Sequence, residues 1–448
     1  MKKMKLNNSR RKFIGQSSLL AGAAGASALL PMELLAGMRR RVSANDRINV
    51  ALIGCNGMGF ANLSSMLKRS EASCVALCDV DQNVLARRAA DLAKAGVKKP
   101  QLYGDYRKLL ENKDIHAVII GTPDHWHCLQ LVDSLEAGKD VYCEKPIANS
   151  VQEAGIMRAA VKKHGRVVQV GQWQRSQQHF ADAVAFVRSG KLGNIRLVKA
   201  WAYQGWMKPV PVEPDQAPPP GVDYKMWLGP AAERPFNPNR FHFNFRWFWD
   251  YAGGLMTDWG VHLIDYVLAG MDATHPRSVM ALGGKYAYPD DASETPDTLQ
   301  TVYEFDNFTA LWEHATGISE GNYGRNHGIA YIGNNGTLVL DRGGWEVIPE
   351  KDGDKPRMEA LPHRGASDNG LDKNTANFIE VMQSRELENL KTPIDVGYYA
   401  ALVSHLGNAA FKSGQRLHWD KEKLRFEEAA GNKFLENTYH NGWKMPAY

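Results

Sequence analysis

Lys145, Asp258 and His262 are the side chains of this chain best suited to handle a proton and a developing charge, and a glycine-rich turn upstream gives them a reason to do so. The apolar run Ile48-Asn49-Val50-Ala51-Leu52-Ile53 leads into Gly54-Cys55-Asn56-Gly57-Met58-Gly59, and a helical pattern follows from Phe60 to Lys68. Strand, glycine turn and helix in this order make a dinucleotide-binding unit. Glycines let the backbone approach a pyrophosphate, and the helix N-terminus offers free N–H groups and a positive dipole end. The next strand, Cys74-Val75-Ala76-Leu77-Cys78, ends in Asp79. That is about 20 residues past the last glycine, where an acid accepts hydrogen bonds from a ribose 2′-hydroxyl, so NAD is favoured over NADP. Asn56 stands where the usual second glycine would be; Asn tolerates positive φ better than other non-glycine residues. Together with Glu144-Lys145-Pro146, these residues read as a redox site.

The elements that must position them follow from periodicity. From Arg47 to Gly171 short apolar strands such as Ile115-His116-Ala117-Val118-Ile119-Ile120, Asp140-Val141-Tyr142-Cys143 and Val167-Val168-Gln169-Val170 alternate with amphipathic helices, the signature of a doubly wound parallel sheet. After a helix near Phe180 to Ser189 the texture changes. Ile195 to Tyr203, Arg277 to Tyr286, Leu299 to Phe305, Thr309 to Thr316 and Thr337 to Leu340 alternate as in a mostly antiparallel sheet with one open face, with Asp306-Asn307 as a hairpin turn. The expected fold is therefore α/β: a leader over 1–44, a Rossmann-type NAD-binding domain over 45–171, and an α+β domain with a large open sheet over 172–448.

The long segment Trp206 to Asp250 contains Phe241-His242-Phe243-Asn244-Phe245-Arg246-Trp247-Phe248-Trp249. Part of it must be core; the rest has the composition of a sugar site, aromatic faces for pyranose rings and Arg, Asn and His for hydroxyls. With 54 basic and 49 acidic residues interspersed and a net charge of +5 concentrated at the front, the 448-residue chain carries no nucleic-acid footprint. The front itself, Ser9-Arg10-Arg11-Lys12-Phe13-Ile14 before an apolar small-residue run from Leu19 to Leu30, reads as a twin-arginine export signal, with cleavage after Val42-Ser43-Ala44 or Ala26-Ser27-Ala28. It is too short and small-residued to span a bilayer comfortably, and a periplasmic or envelope location is expected. A translocase that moves folded proteins suits an enzyme that must acquire NAD in the cytoplasm and hold it. The five cysteines lie on apolar strands or their ends and are expected as buried reduced thiols. His125 and His127 lack a carboxylate or thiolate partner cluster, and no metal is expected.

The glycine turn with Asp79, the segment Thr122-Pro123-Asp124-x-x-His127, Glu144-Lys145-Pro146, and Asp258-Trp259-Gly260-Val261-His262 followed by Asp265 together resemble the glucose-fructose oxidoreductase/inositol dehydrogenase (Gfo/Idh/MocA) family over residues 47 to 420. The resemblance implies cofactor contacts at Gly54, Asn56, Gly57, Met58, Gly59, Asp79, Thr122, Pro123, His127, Glu144 and Lys145. It implies substrate contacts at Gln172, Trp173 and Arg175, and the aromatic segment adds Arg246 and Trp249. Lys145 would sit between dinucleotide and sugar and stabilise charge on the reacting oxygen, while His262 serves as base. Asp258, at an i, i+4 spacing on the same helix face, would orient substrate or imidazole. Plainer readings stand beside these: Lys145 a surface lysine, His262 a core histidine, Asp258 a helix-terminal acid. The expected activity is NAD(H)-dependent oxidation or reduction at a secondary hydroxyl of a sugar, glycoside or cyclitol. The competing reading is an NAD-dependent glycoside hydrolase, resembling the exported α-N-acetylgalactosaminidase branch, acting through transient C3 oxidation and elimination. The open sheet face implies a homo-oligomer, a dimer or tetramer.

Overall fold

The computed structural model describes residues 47–448, which belong to one compact unit. The leader and its twin-arginine pattern lie outside the described residues. β1 (Ile48–Ile53) is almost wholly buried, as a strand covered on both faces must be. With β2 (Ala72–Cys78), β3 (Gln101–Tyr103), β4 (Ala117–Ile120), β5 (Asp140–Cys143) and β6 (Val168–Val170) it forms a six-stranded sheet of order β3-β2-β1-β4-β5-β6, and every pairing in it is parallel. The order reverses beside β1, which opens a crevice at the carboxyl ends of β1 and β4. The connecting helices carry their own punctuation. Asp81 accepts from Asn83 N–H at 2.9 Å to start the helix Gln82–Lys94. Ser150 Oγ accepts from Glu153 N–H at 3.1 Å and the Glu153 carboxylate accepts from Asn149 N–H at 2.8 Å to start Val151–His164, which ends on Lys162, Lys163 and a left-handed Gly165.

The second sheet is built from β7 (Ile195–Gln204), β8 (Ser278–Gly284), β9 (Thr298–Glu304), β10 (Thr309–Thr316), β11 (His327–Gly333), β12 (Gly336–Asp341) and β13 (Gly344–Pro349); after a small separate hairpin, β14 (Lys351–Asp352) with β15 (Lys355–Pro356), it is completed by β16 (Leu361–Gly365), β17 (Leu417–Asp420) and β18 (Arg425–Phe426). Its order is β16-β13-β12-β11-β7-β10-β9-β8-β17-β18, antiparallel except where β10 runs parallel to β7. The alternation in the sequence located β7 to β10 and β12. β11, almost wholly buried, offers no alternation to read, and β16 to β18 are short edge pieces whose partners lie far away in sequence. The helix Ile394–Ser413 packs against Val151–His164 of the first layer, β8 of the second and the helix Gly260–Met271, so one continuous apolar core includes Val118 and Val170 as well as Ala200 and Trp312. One face of the large sheet leaves Leu197, Met280, Leu282 and Val302 exposed.

Candidate active site in the nucleotide crevice

Positive φ in the glycine turn falls on Gly54 (+83°) and Gly57 (+46°), whereas Asn56 is extended at φ −95°, ψ 169°. The departure at Asn56 therefore costs no left-handed strain, because its neighbour Gly57 takes that conformation instead. A Cβ on Gly54 would lie 2.6 Å from Gly121 C, and one on Gly59 would lie 2.2 Å from Gly54 O, so both glycines are required to bring turn, helix and β4 together. Asn56 makes no side-chain cap bond and the first turn of the helix Gly57–Met66 holds no acidic residue, which leaves its N–H groups and dipole for an anion. Asp79 lines the cavity and also holds the turn. Its carboxylate accepts from Cys55 N–H at 2.7 Å and Asp81 N–H at 3.0 Å, bracing the turn, and burial raises its pKa.

These residues open onto a cavity of about 430 Å³, walled by Gly54, Asn56, Gly57, Met58 and Asp79 on one side and by Thr122, Pro123, Asp124, Glu144 and Lys145 on another; Phe243 and Arg246 close it from the aromatic segment. A glycine cradle, an unspent helix terminus, an acid at the strand end and a cavity of this size fit a dinucleotide. His127 is placed differently from expectation. It is buried, with Nδ1 2.7 Å from Pro146 O and Nε2 2.9 Å from Thr122 O, so its ring sits between the two loops of the cavity wall and, when neutral, donates to one of these carbonyls instead of framing a ribose. Burial lowers its pKa to about 4.

Lys145, which lines the cavity, pairs with Asp258. Lys145 Nζ donates to the Asp258 carboxylate at 2.9 Å and to its backbone carbonyl at 2.9 Å, and Arg246 Nε donates to the same carboxylate oxygen at 3.2 Å. Burial opposes ionisation of Asp258, but the Lys145 and Arg246 charges outweigh it and hold the carboxyl well below the usual carboxylate range. Asp258 and His262 do not share one helix: the helix Gly254–Asp258 ends, Trp259 intervenes, and Gly260–Met271 begins. They remain electrostatic neighbours all the same. Burial, reinforced by Lys145 and Arg342 and opposed by Asp258, holds the His262 imidazole well below its ordinary pKa. The ring is thus neutral and, with Nδ1 buried and unpartnered, ready to accept a hydrogen bond or a proton, although less basic than a free histidine.

Glu144 accepts from Asn62 Nδ2 at 2.6 Å and from Lys145 N–H at 3.2 Å, which orients the loop that carries the lysine. Gln172 is buried, with Nε2 3.4 Å from Val261 O and Oε1 unpartnered. Trp173 lies beside Arg342, its ring centre 5.0 Å from the guanidinium carbon. Two expected substrate residues are committed elsewhere. Arg175 grips buried Asp265 with bonds of 2.5, 2.9 and 3.1 Å, because a desolvated carboxylate demands a bidentate partner. Trp249 turns away, donating to Glu294 O at 3.0 Å with Lys412 Nζ 3.7 Å from its ring centre, and lines a different hollow. Asp124 carried no role in the sequence reading, yet it lines the cavity. Burial, opposed by Arg246 and reinforced by Asp258, raises its carboxyl to about 8. Its place in Thr122-Pro123-Asp124 marked the loop but not the burial. All five cysteines are free and buried, and among the described residues no His, Cys, Asp and Glu cluster has metal-binding geometry.

Residues 48–172 match the model of an oxidoreductase family with an NAD-binding Rossmann fold, and residues 194–445 match the C-terminal alpha/beta domain of the same family. Over 200 residues the chain is 29% identical to inositol 2-dehydrogenase 4 of Saccharopolyspora erythraea, covering 44% of this chain and 54% of that one. Over 150 residues it is 34% identical to a glycosyl hydrolase family 109 protein of Stenotrophomonas maltophilia, covering 32% and 31%. These matches span less than two thirds of either relative's own length. Among solved structures, aldose-aldose oxidoreductase from Caulobacter crescentus superposes with a TM-score of 0.62 at 20% identity, covering 83% of this chain and 99% of that one. Levoglucosan dehydrogenase in complex with NADH and levoglucosan gives 0.61 at 18%, with the same coverage. Two consecutive family domains, the first with its glycine cradle intact and the second a large sheet beside the Lys145–Asp258 pair, account for nearly all the described residues, and the chain belongs to the Gfo/Idh/MocA oxidoreductase family.

Proposed function

We propose that this protein moves hydride between NAD(H) and a secondary hydroxyl of a sugar, glycoside or cyclitol. The observation that carries the reading is the Lys145 ammonium, which lines the nucleotide cavity, is held at 2.9 Å by Asp258 and acts electrostatically on neutral His262. Bound NAD would supply the hydride acceptor. Lys145 holds the substrate oxygen and stabilises negative charge on it; His262, being unprotonated, takes the hydroxyl proton; Asp258 fixes the lysine between two acceptors and offsets the charge that His262 gains. Arg246 steadies Asp258 from the aromatic segment. The inositol and levoglucosan dehydrogenases among the related proteins support a polyhydroxylated substrate. Mass spectrometry of products from a panel of glycosides tests this: oxidation appears as the loss of two hydrogens, and a panel without any such product refutes it.

The family 109 relatives favour a second reading, glycoside cleavage through transient oxidation. Released aglycone in the same spectra distinguishes it. The dehydrogenase spacing of Asp258 and His262 supports the first. Export through the twin-arginine route is part of the proposal and rests on Arg10 and Arg11. The translocase reads the pair as an address, so lysines at both positions should retain the protein in the cytoplasm; normal export of that variant in fractionation would argue for another route. The exposed apolar side chains Leu197, Met280, Leu282 and Val302 suit burial against a second copy, giving a dimer or tetramer.

A further inference from the structure

Arg342 sits in the two-residue turn between β12 and β13. Asp341 holds that turn rigid: its Oδ1 accepts from Gly343 N–H at 2.7 Å and Gly344 N–H at 3.0 Å, and its Oδ2 pairs with Arg325 at 3.2 Å. From this fixed base the guanidinium lies over two indoles, 5.0 Å from the Trp173 ring centre and 4.6 Å from that of Trp259. No described residue gives it a hydrogen bond or an ion pair. The neighbouring carboxylates are spent, Asp258 on Lys145 and Arg246 and Asp341 on Arg325.

That arrangement is unusual for an arginine so enclosed. A guanidinium keeps its charge at any working pH, and its five N–H donors project from the edge of a planar fork. Rings over its faces satisfy the charge in part but leave the edge donors unspent. The guanidinium lies in the right neighbourhood, for the Trp259 indole beneath it is 6.5 Å from the His262 ring, centre to centre, and Arg342 acts electrostatically on both His262 and Asp258. Lys145, Arg246 and Arg342 together set three cations around Asp258; of the other carboxyls that act on Lys145 and Arg246, Glu144 is buried against Asn62 and Asp124 is raised to about 8, so the cations stay in excess. A neutral sugar would leave the surplus standing; an anion would neutralise it.

We propose that Arg342 is a specificity-determining residue that binds an anionic substituent of the substrate, so that the preferred sugar is an acid or acidic ester, such as a uronide, rather than a neutral glycoside. The inference rests on the reading of the site as a sugar oxidoreductase. Trp173 and Trp259 hold the fork, and its donors meet the carboxylate, sulfate or phosphate oxygens in bidentate fashion.

The test uses the full-length, NAD-loaded protein and three probes: methyl glucoside, methyl glucuronide and methyl glucoside 6-phosphate. Calorimetric titration gives binding without turnover, and steady-state rates give KM and kcat separately. The wild type should bind at least one anionic probe about 10- to 100-fold more tightly than the neutral one, the range of a charge-assisted bidentate contact. Arg342→Met should abolish that preference while changing affinity for methyl glucoside less than threefold, and Arg342→Lys should restore part of it. Whichever anionic probe responds identifies the group. An equal affinity for all three probes in the wild type overturns the proposal, as does a preference that survives Arg342→Met. A loss of affinity for acidic and neutral probes alike in both variants also overturns it, since it would make Arg342 a packing residue. Arg342-dependent anion binding without oxidation of any probe would leave this inference standing and sink the redox reading; oxidation without anion preference would do the reverse.

Discussion

Replacing Asp258 with Asn tests the centre of the proposed site because this one carboxylate holds two cations. At an effective dielectric of about 20, charges about 3 Å apart attract by roughly 5 kcal/mol. Most of that is spent on removing the ions from water, and Asn keeps an acceptor in nearly the same place. The side chains of Lys145, Asp258 and Arg246 are 13, 17 and 22% exposed, so solvent screens part of the remainder. A net loss of about 2 kcal/mol follows, which for a chain of this size lowers Tm by about 2–3 °C. The loss must depend on pH in one direction. The folded pKa of Asp258 is depressed, so its contribution is present above the usual carboxylate pKa near 4 and disappears as pH falls through the folded value. The Tm gap between wild type and variant should therefore be constant from about pH 5 to 8 and narrow toward about pH 3. Activity should suffer more than stability. Lys145 retains only the backbone carbonyl as a strong anchor, and a displacement of about 1 Å at a reacting oxygen costs roughly 100-fold in kcat. Scanning calorimetry across pH and steady-state NADH formation measure both effects. A wild-type kcat in Asp258→Asn, or a Tm gap as large at the lowest pH as at neutrality, would refute the argument.

Lys145→Ala and His262→Ala should each lower kcat by roughly 10²–10⁴-fold, with the double variant losing far less than the product, since both act on one oxygen in one transition state; independent effects in the rate assay would separate them. Asp79→Ala should weaken NAD binding by about 1–3 kcal/mol in a titration, and because Asp79 also braces Cys55 N–H it should lower Tm even in the absence of nucleotide; unchanged affinity would place it outside the site. Asp124 is protonated in the fold up to about pH 8, so it favours the folded state at acid pH and loses that contribution as pH rises through about 8. Asp124→Asn should remove this decline, which runs from the usual carboxylate pKa near 4 up to about 8, from the Tm profile and keep NAD affinity; parallel profiles across that range would show that Asp124 is ionised throughout.

Local patterns carried the parts of this protein that local physics decides. The turn from Gly54 to Gly59 is legible because only glycine permits its φ values and its close approach to Gly121. Asp79 is legible because strand length sets where an acid follows the turn, and the first sheet because a strand buried on both faces must be apolar throughout. Asn56 was read correctly as a departure, but which of two neighbouring residues would take positive φ depended on the whole turn. The sequence by itself also brought Lys145, Asp258 and His262 forward as chemically apt. Tertiary structure decided what they, and the other charged groups, are paired with. Arg175 and Arg342 are the same residue type with the same donors, yet one is consumed by Asp265 and the other is left between two indoles. Trp249 went to Lys412 and His127 to two backbone carbonyls. The break at Trp259 separated two residues that spacing alone put on one helix face. Periodicity reports a residue's own preference, whereas partnership and desolvation depend on which distant segments fold against it, and those set both the charge of a side chain and its freedom to meet a substrate.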